Sequence, residues 1–423
     1  IYAGSVWKEI LEVVDLKRLY LIIDAVIVVL IIIMIIVSLV AREKGGQYYQ
    51  DAQKAFAKAE NASAEWDIND PKKLGKLAEL YRNVFEKYPD SRWADDAIFR
   101  LASKIDPSEE EAILLYRRLI RDYPDSEYVV PSIYTIGMGY YDKGDFVSAI
   151  AEFAKIISNY PDNILAEKAL FNSAMSRYSL GKWEEASLEF QEFEKRYPKS
   201  DLVDDSYTYR GVIEINKKNY ADGIKLLEEV IQKYPSSDSA DKAQFNIAAA
   251  YFTEDKYPEA LTAFEKLINN YPKSEFIEES KIMMASIYER QGNDQKAISS
   301  LKKFISEYPE SRYLSRAEEF MADIYLKKLK NVKNAIEVYQ RIADNKQYDY
   351  DTRKKAQYQV GQLYEGQRDY ARAIEAYQKL LTDFPNPMST PNQPADKIDK
   401  SYIINLQTTQ QKMPGASTPE SIK

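Results

Sequence analysis

The stretch DKAQFNIAAAYFTEDKYPEALTAFEKLINNYP, residues 241–272, contains two helices and a stop. In its first half Phe245, Ala248, Ala249 and Phe252 recur at the spacing of one helix face. Thr253-Glu254-Asp255-Lys256 interrupts the pattern, and Tyr257, Ala260, Leu261, Phe264, Leu267 and Ile268 resume it. Tyr271-Pro272 then ends the second helix, because proline has no amide hydrogen to donate and disfavours helix at the residue before it. The stretch reads as a helical hairpin.

The stop recurs. Tyr-Pro stands at Tyr88, Tyr123, Tyr160, Tyr197, Tyr234, Tyr271 and Tyr308, with a first interval of 35 residues and five of 37. Self-similarity at such a period marks a solenoid, in which each unit buries its apolar face only by stacking on its neighbours. Two places beyond each proline stands Ser91, Ser126, Asn163, Ser200, Ser237, Ser274 or Ser311, all types that cap the start of a following helix. Asp95, Asp96, Asp204, Asp205, Glu278 and Glu279 follow where the positive end of a helix dipole favours them. The tag lapses once, near Asn345, but the 76 residues from Tyr308 to Phe384 amount to two periods. Ala335, Ile336 and Tyr339, then Tyr370, Ala373 and Tyr377, predict two further hairpins there, for about nine repeats in all.

With these positions in view the chain resembles the tetratricopeptide repeat (TPR) family. Its pattern of small residue, aromatic, alanine, aromatic and closing proline is matched by Gly137, Tyr140, Gly144, Phe146, Ala149, Phe153 and Pro161. Ala248, Tyr251, Tyr257, Ala260, Phe264 and Pro272 match it again, as do Ala174, Gly181, Trp183, Ala186, Phe190 and Pro198. The period is longer than the family's 34 residues, and Gly223 stands where an alanine is usual. The Tyr-Pro-x-Ser style is similar to the bacterial envelope branch, including the repeat lipoprotein of outer-membrane β-barrel assembly and the periplasmic coordinator associated with Tol-Pal. The lipoprotein cysteine is missing. The resemblance implies an all-α, right-handed TPR-like solenoid over residues 42–385 that binds other proteins.

Composition narrows the function. The net charge is −8 and the basic residues are dispersed along the repeats, which argues against nucleic acid as a partner. Cysteine and histidine are absent, which excludes thiolate and imidazole metal ligands, cysteine nucleophiles and histidine bases. No phosphate loop, nucleophile elbow or dinucleotide fingerprint occurs. Among 66 acidic residues some pairs fall close by chance, and solvated helix faces and caps account for them. No enzyme activity, cofactor or metal is expected.

Leu19 to Ala41 is a 23-residue run with Asp24 as its one strongly polar member. As a helix it would be about 35 Å long, more than a hydrocarbon core of about 30 Å, and a transmembrane helix is expected over residues 19–41. A cleaved signal peptide would have a shorter apolar core and small residues at its end, whereas Leu39 is bulky. Residues 1–18 form a flank with Val6, Ile10, Val13 and Val14 at helical spacing, as in an interfacial helix. Residues 386–423, rich in Pro, Ser, Thr and Gln, read as a disordered tail containing the apolar island Ser401-Tyr402-Ile403-Ile404-Asn405-Leu406.

In the family the first helices of successive repeats line a groove for peptide segments. By register the corresponding residues are Met138 and Tyr141, Met175 and Tyr178, Val212 and Ile215, and Ala249 and Phe252. Methionines and aromatics suit adaptable apolar recognition, while packing between repeats is the competing role for the same side chains. The expected protein is a scaffold or adaptor anchored by a single pass in the bacterial inner membrane, with periplasmic repeats that bind peptide segments or subunits of an envelope complex. The alternatives are a cytoplasm-facing, membrane-tethered recruiter and a carboxylate-based envelope protein that binds or cleaves glycans.

Overall fold

A computed structural model describes residues 2–67, 69–385 and 398–412, with the side chains of 2–28 and 39–43 outside that description. The chain divides between Val203 and Asp204 into two units. The first contains α1 (Tyr2–Glu65), α2 (Pro71–Lys87), α3 (Ala94–Ala102), α4 (Glu110–Asp122), α5 (Val129–Asp142), α6 (Phe146–Asn159), α7 (Ile164–Ser179) and α8 (Trp183–Arg196). The second opens with α9 (Val203–Asn216), α10 (Tyr220–Lys233), α11 (Asp238–Thr253), α12 (Tyr257–Asn270), α13 (Ile277–Arg290) and α14 (Asp294–Glu307). It continues with α15 (Leu314–Asp323), a π-helical turn (Ile324–Lys328), α16 (Val332–Asp344), α17 (Tyr350–Gly366), α18 (Tyr370–Asp383) and α19 (Lys400–Gln411). Successive pairs from α1 and α2 to α17 and α18 form nine hairpins among the described residues.

From α5 onward each hairpin turns on a backbone that L-residues seldom adopt. Gly144, Gly181, Lys218, Asp255 and Gly292 sit at positive φ at the same place in five consecutive hairpins. Lys330 and Arg368 follow at one residue more than the earlier interval, and the π-helical turn takes up the extra residue ahead of Lys330. The Tyr-Pro tag closes the other end. Tyr88 leaves α2 at φ −130° and ψ 52°, and Ser91 N donates to Tyr88 O at 3.0 Å.

The tag serines cap the turn more often than the helix. Asn163 and Ser237 are N-caps, but Ser126, Ser200, Ser274 and Ser311 accept from the amide two residues on, and helices α5, α9, α13 and α15 begin one residue after that amide. The first-turn carboxylates do more than meet a dipole. Asp96 accepts from the hydroxyl of Tyr128 in the next repeat at 2.6 Å, and Asp205 from Ser239 at 2.6 Å. Glu167 and Ser200, and Glu278 and Ser311, make the same link. Where the tag lapses, Asn345 accepts from the Gln347 amide and Asp349 caps α17.

A small residue on the first helix faces a large one sixteen positions on in the second. A Cβ built on Gly137 would lie 2.6 Å from Phe153 Cε1, and one on Gly211 would lie 2.7 Å from Leu227 Cγ. Gly223 explains its departure from alanine: a Cβ there would stand 2.7 Å from Gly211 O, so the two glycines let α9 and α10 approach backbone to backbone. Tyr81, Phe85, Phe153 and Phe190 in the first unit, and Phe264, Phe304 and Tyr377 in the second, are among the largest fully buried side chains. Burying each contributes roughly 1.5–3 kcal/mol.

The transmembrane helix expected over Leu19–Ala41 is corrected: among the described residues no helix is long and apolar enough to cross a membrane. The described side chains of that run are those of residues 29–38, about 15 Å of helix against about 30 Å of hydrocarbon. The rest of the run, and the interfacial helix expected within 1–18, lie outside the described side chains. The anchored scaffold, the membrane as a partner through this segment and the single-pass inner-membrane localisation fall with it. Within the stretch read as a disordered tail, Lys400–Gln411 forms α19, while 386–397 and 413–423 lie outside the described residues.

Candidate partner-binding groove

In the second unit the first helices of three consecutive hairpins enclose a cavity of about 510 Å³. Its apolar lining is Phe252 from the end of α11, Ile282 and Met283 from α13, and Phe320 from α15. These project together because the register repeats: Met283 and Phe320 are one period apart, a turn ahead of the column that runs through Val212, Ala249 and Ser286.

Charges of both signs rim the cavity. Arg290 lies with its guanidinium 4.9 Å from the centre of the Phe252 ring and 3.8 Å from Asp255 Oδ1. A hydrogen bond to Tyr257 pushes the Arg290 pKa above its ordinary range, while the Tyr257 hydroxyl donates to Asp255 at 2.6 Å. The cation lies over the ring, with Asp255, at the hairpin turn with φ 56°, beside it. Glu279, Glu319 and Asp323 also line the cavity. Glu279 accepts from Tyr313 at 3.4 Å, and Asp323 accepts from Lys327 at 2.7 Å and Tyr339 at 3.4 Å. Arg316 is exposed at the rim. Phe252, Met283 and Phe320 offer apolar surface beside charges of both signs, the mixture of a site for a polypeptide segment.

All eight residues expected in the groove are half-buried, and one of them lines the cavity. Phe252 lines the cavity. Tyr141 turns back onto its own hairpin, edge-on to Phe146 at 5.2 Å. Met138 Sδ accepts from Asn172 at 3.3 Å, and the same amide donates to Tyr134 at 2.8 Å, which ties α5 to α7. Met138, Tyr141, Ile215 and Phe252 itself are packed against buried clusters. Met175, Tyr178, Val212 and Ala249 stay on their first helices without lining this cavity. Met283, Ser286, Arg290, Arg316 and Phe320 were missed, although carrying the 37-residue register through α13 and α15 reaches Ser286, and one turn earlier reaches Met283 and Phe320.

Among the described residues no group of three or more Asp or Glu side chains is placed to hold a metal ion. A cavity of about 840 Å³ between α1 and α2 has Trp66 and Leu80 inside and Lys54, Lys58 and Lys76 around it. One of about 460 Å³ lies among α10, α11 and α12, where Gln244 donates to Ala263 O at 3.0 Å. Neither is formed by first helices alone.

The family model for an outer membrane lipoprotein, YfiO, matches residues 204–340, which includes all of this cavity. The tetratricopeptide repeat model matches residues 132–163, 168–200 and 355–387. The chain is a tetratricopeptide-repeat protein. It is related to the bacterial outer membrane lipoprotein family. No curated protein matches the chain. Among solved structures it is similar to a tetratricopeptide repeat protein from Parabacteroides merdae, at 17% identity over 66% of this chain and 97% of that one, with a TM-score of 0.41. The C-terminal part of a TPR repeat-containing protein from Cytophaga hutchinsonii is 16% identical over 62% of this chain and 98% of its own, with a TM-score of 0.44. With TM-scores below 0.5, the repeat assignment rests on the family models.

Proposed function

We propose that the chain is a scaffold of the bacterial envelope that captures segments of partner proteins along its first helices. The observation that carries this reading is the cavity where Phe252, Met283 and Phe320, from three successive hairpins, converge beneath Arg290. Three hairpins contributing to one site, part apolar and part charged, suit an extended or helical segment longer than a single side chain. The envelope setting is supported by the match to an outer membrane lipoprotein family over residues 204–340.

The test is a photo-crosslinking amino acid placed at Met283 or Phe320 in cells, with Lys303, an exposed position on α14, as control. Discrete adducts with the same envelope protein from Met283 and Phe320, absent at Lys303, are expected. The same adducts from all three positions, or none from the groove, overturn the proposal.

A further inference from the structure

The last hairpin carries a helix that belongs to no hairpin. Helix α19 lies across α17 and α18, with Ile403 and Leu406 buried against Ile374, Tyr377 and Leu380. The ring of Tyr402 meets that of Tyr377 edge-on at 5.6 Å. Both hydroxyls reach one carboxylate: Tyr377 donates to Glu365 at 2.8 Å and Tyr402 donates to it at 3.0 Å. Burial and Glu365 together push the Tyr402 pKa up to about 12, so the hydroxyl keeps the proton it donates.

We propose that this outer surface of the last hairpin is a docking site for a single amphipathic helix, and that α19 is its detachable occupant in cis. The inference does not draw on the first-helix groove. The site reads a short pattern: a tyrosine whose hydroxyl meets Glu365, an aliphatic residue next to it, and a leucine four positions after the tyrosine, as in Tyr402, Ile403 and Leu406. The rest of α19 is polar, apart from Ile404, which is 58% exposed. A partner helix of the same pattern makes the contacts of Tyr402, Ile403 and Leu406, leaving only that of the buried Ile398 ahead of α19.

Detachment follows from what holds α19. It has 12 residues, a length at which an isolated helix is marginal in water, so its folding depends on its one docked face. Asp399 supplies its own cap, accepting from Tyr402 N at 2.7 Å, and the helix can re-form when it leaves and returns. Helices α17 and α18, by contrast, are packed against each other and α17 also against α16. The surface beneath is aromatic and apolar, with Tyr358, Tyr364, Tyr377 and Leu381, and an end of a repeat array needs such a surface covered.

The test uses the full chain. In the wild-type protein, amides of residues 400–411 are expected to exchange with deuterium at least tenfold faster than those in the middle of α17 and α18. Equal protection would make α19 a permanent cap and overturn the proposal. In the full chain carrying Ile403→Asp and Leu406→Asp, a fluorescent peptide of residues 398–412 is expected to bind at least tenfold more tightly than to wild type, whose own α19 competes. The same peptide carrying Leu406→Asp is expected not to bind. Failure of the unmodified peptide to bind the variant chain, with helicity retained, overturns the proposal, as does equal binding to both chains.

Discussion

Gly361 lies against the ring of Tyr377, so closely that a Cβ on it would stand 2.3 Å from Tyr377 Cε1. Tyr377 is fully buried and meets Tyr402 edge-on, which limits how far its ring can yield. Gly361→Ala is therefore expected to destabilise the C-terminal hairpin by about 1–3 kcal/mol, the usual cost of overpacking. Gly75→Ala is the control: it is also helical but has nothing within 4 Å, and is expected to gain roughly 0.5–1 kcal/mol. Urea unfolding followed by circular dichroism separates the two.

The hairpin turns give a second expectation. Lys218 and Lys330 occupy positive φ, 67° and 52°, where Gly144, Gly181 and Gly292 stand in sister hairpins. A side chain there costs roughly 1–2 kcal/mol. Lys330→Gly is expected to raise stability by about 1 kcal/mol, less than the full strain because glycine is freer when unfolded. Gly181→Ala is expected to lower it by a similar amount. A fall for Lys330→Gly would show that the side chain outweighs the backbone strain.

Glu189 makes stability depend on pH. Burial pushes its pKa from 4.5 to about 7, against the opposing charge of Arg177, whose Nη1 is 2.8 Å away. The folded chain therefore retains a proton that the unfolded chain releases near 4.5. Stability from this group is present below pH 4.5 and is lost as the pH rises to about 7, with a slope of at most about 1.4 kcal/mol per pH unit. Glu189→Gln is expected to flatten that part of the profile. A wild-type urea midpoint that rises between pH 5 and pH 7, and loses that rise in Glu189→Gln, would show that the Arg177 pair wins over burial.

In the groove, Met283→Ser with Phe320→Ser is expected to lose partner capture at least tenfold while helicity is retained, since both side chains are only half-buried. Tyr141→Ser should act otherwise, because its ring rests on Phe146 and its loss costs packing. Thermal melts and crosslinking yields, measured on the same variants, test the division. Loss of capture only with loss of fold would make Met283 and Phe320 packing residues.

The hairpins were legible in the sequence because their determinants are local. Proline after Tyr271 removes a donor, Ser237 offers a cap two residues before Ser239, and Phe245, Ala248 and Phe252 define a face at helical spacing. The two hairpins after Tyr308 could be read for the same reason, although Asn345 replaces the tag. The 76 residues exceed two periods of 37 by two, which counting shows, but where the first is taken up was not readable: it goes into the π-helical turn at Ile324–Lys328, a departure of hydrogen bonding that leaves no composition behind.

The sequence by itself determined the repeat, its period and the class of binding protein, since these depend on residues a few places apart. Tertiary structure decided which faces meet. It turned Tyr141 inward and left Phe252 beside Met283 and Phe320. It converted first-turn acids such as Asp96 into clamps on the next repeat, and seated Ile403 and Leu406 on the last hairpin. Those outcomes depend on how helices are set against one another, within a hairpin by backbone approach at pairs such as Gly211 and Gly223 and between repeats by side-chain packing, which no local pattern encodes.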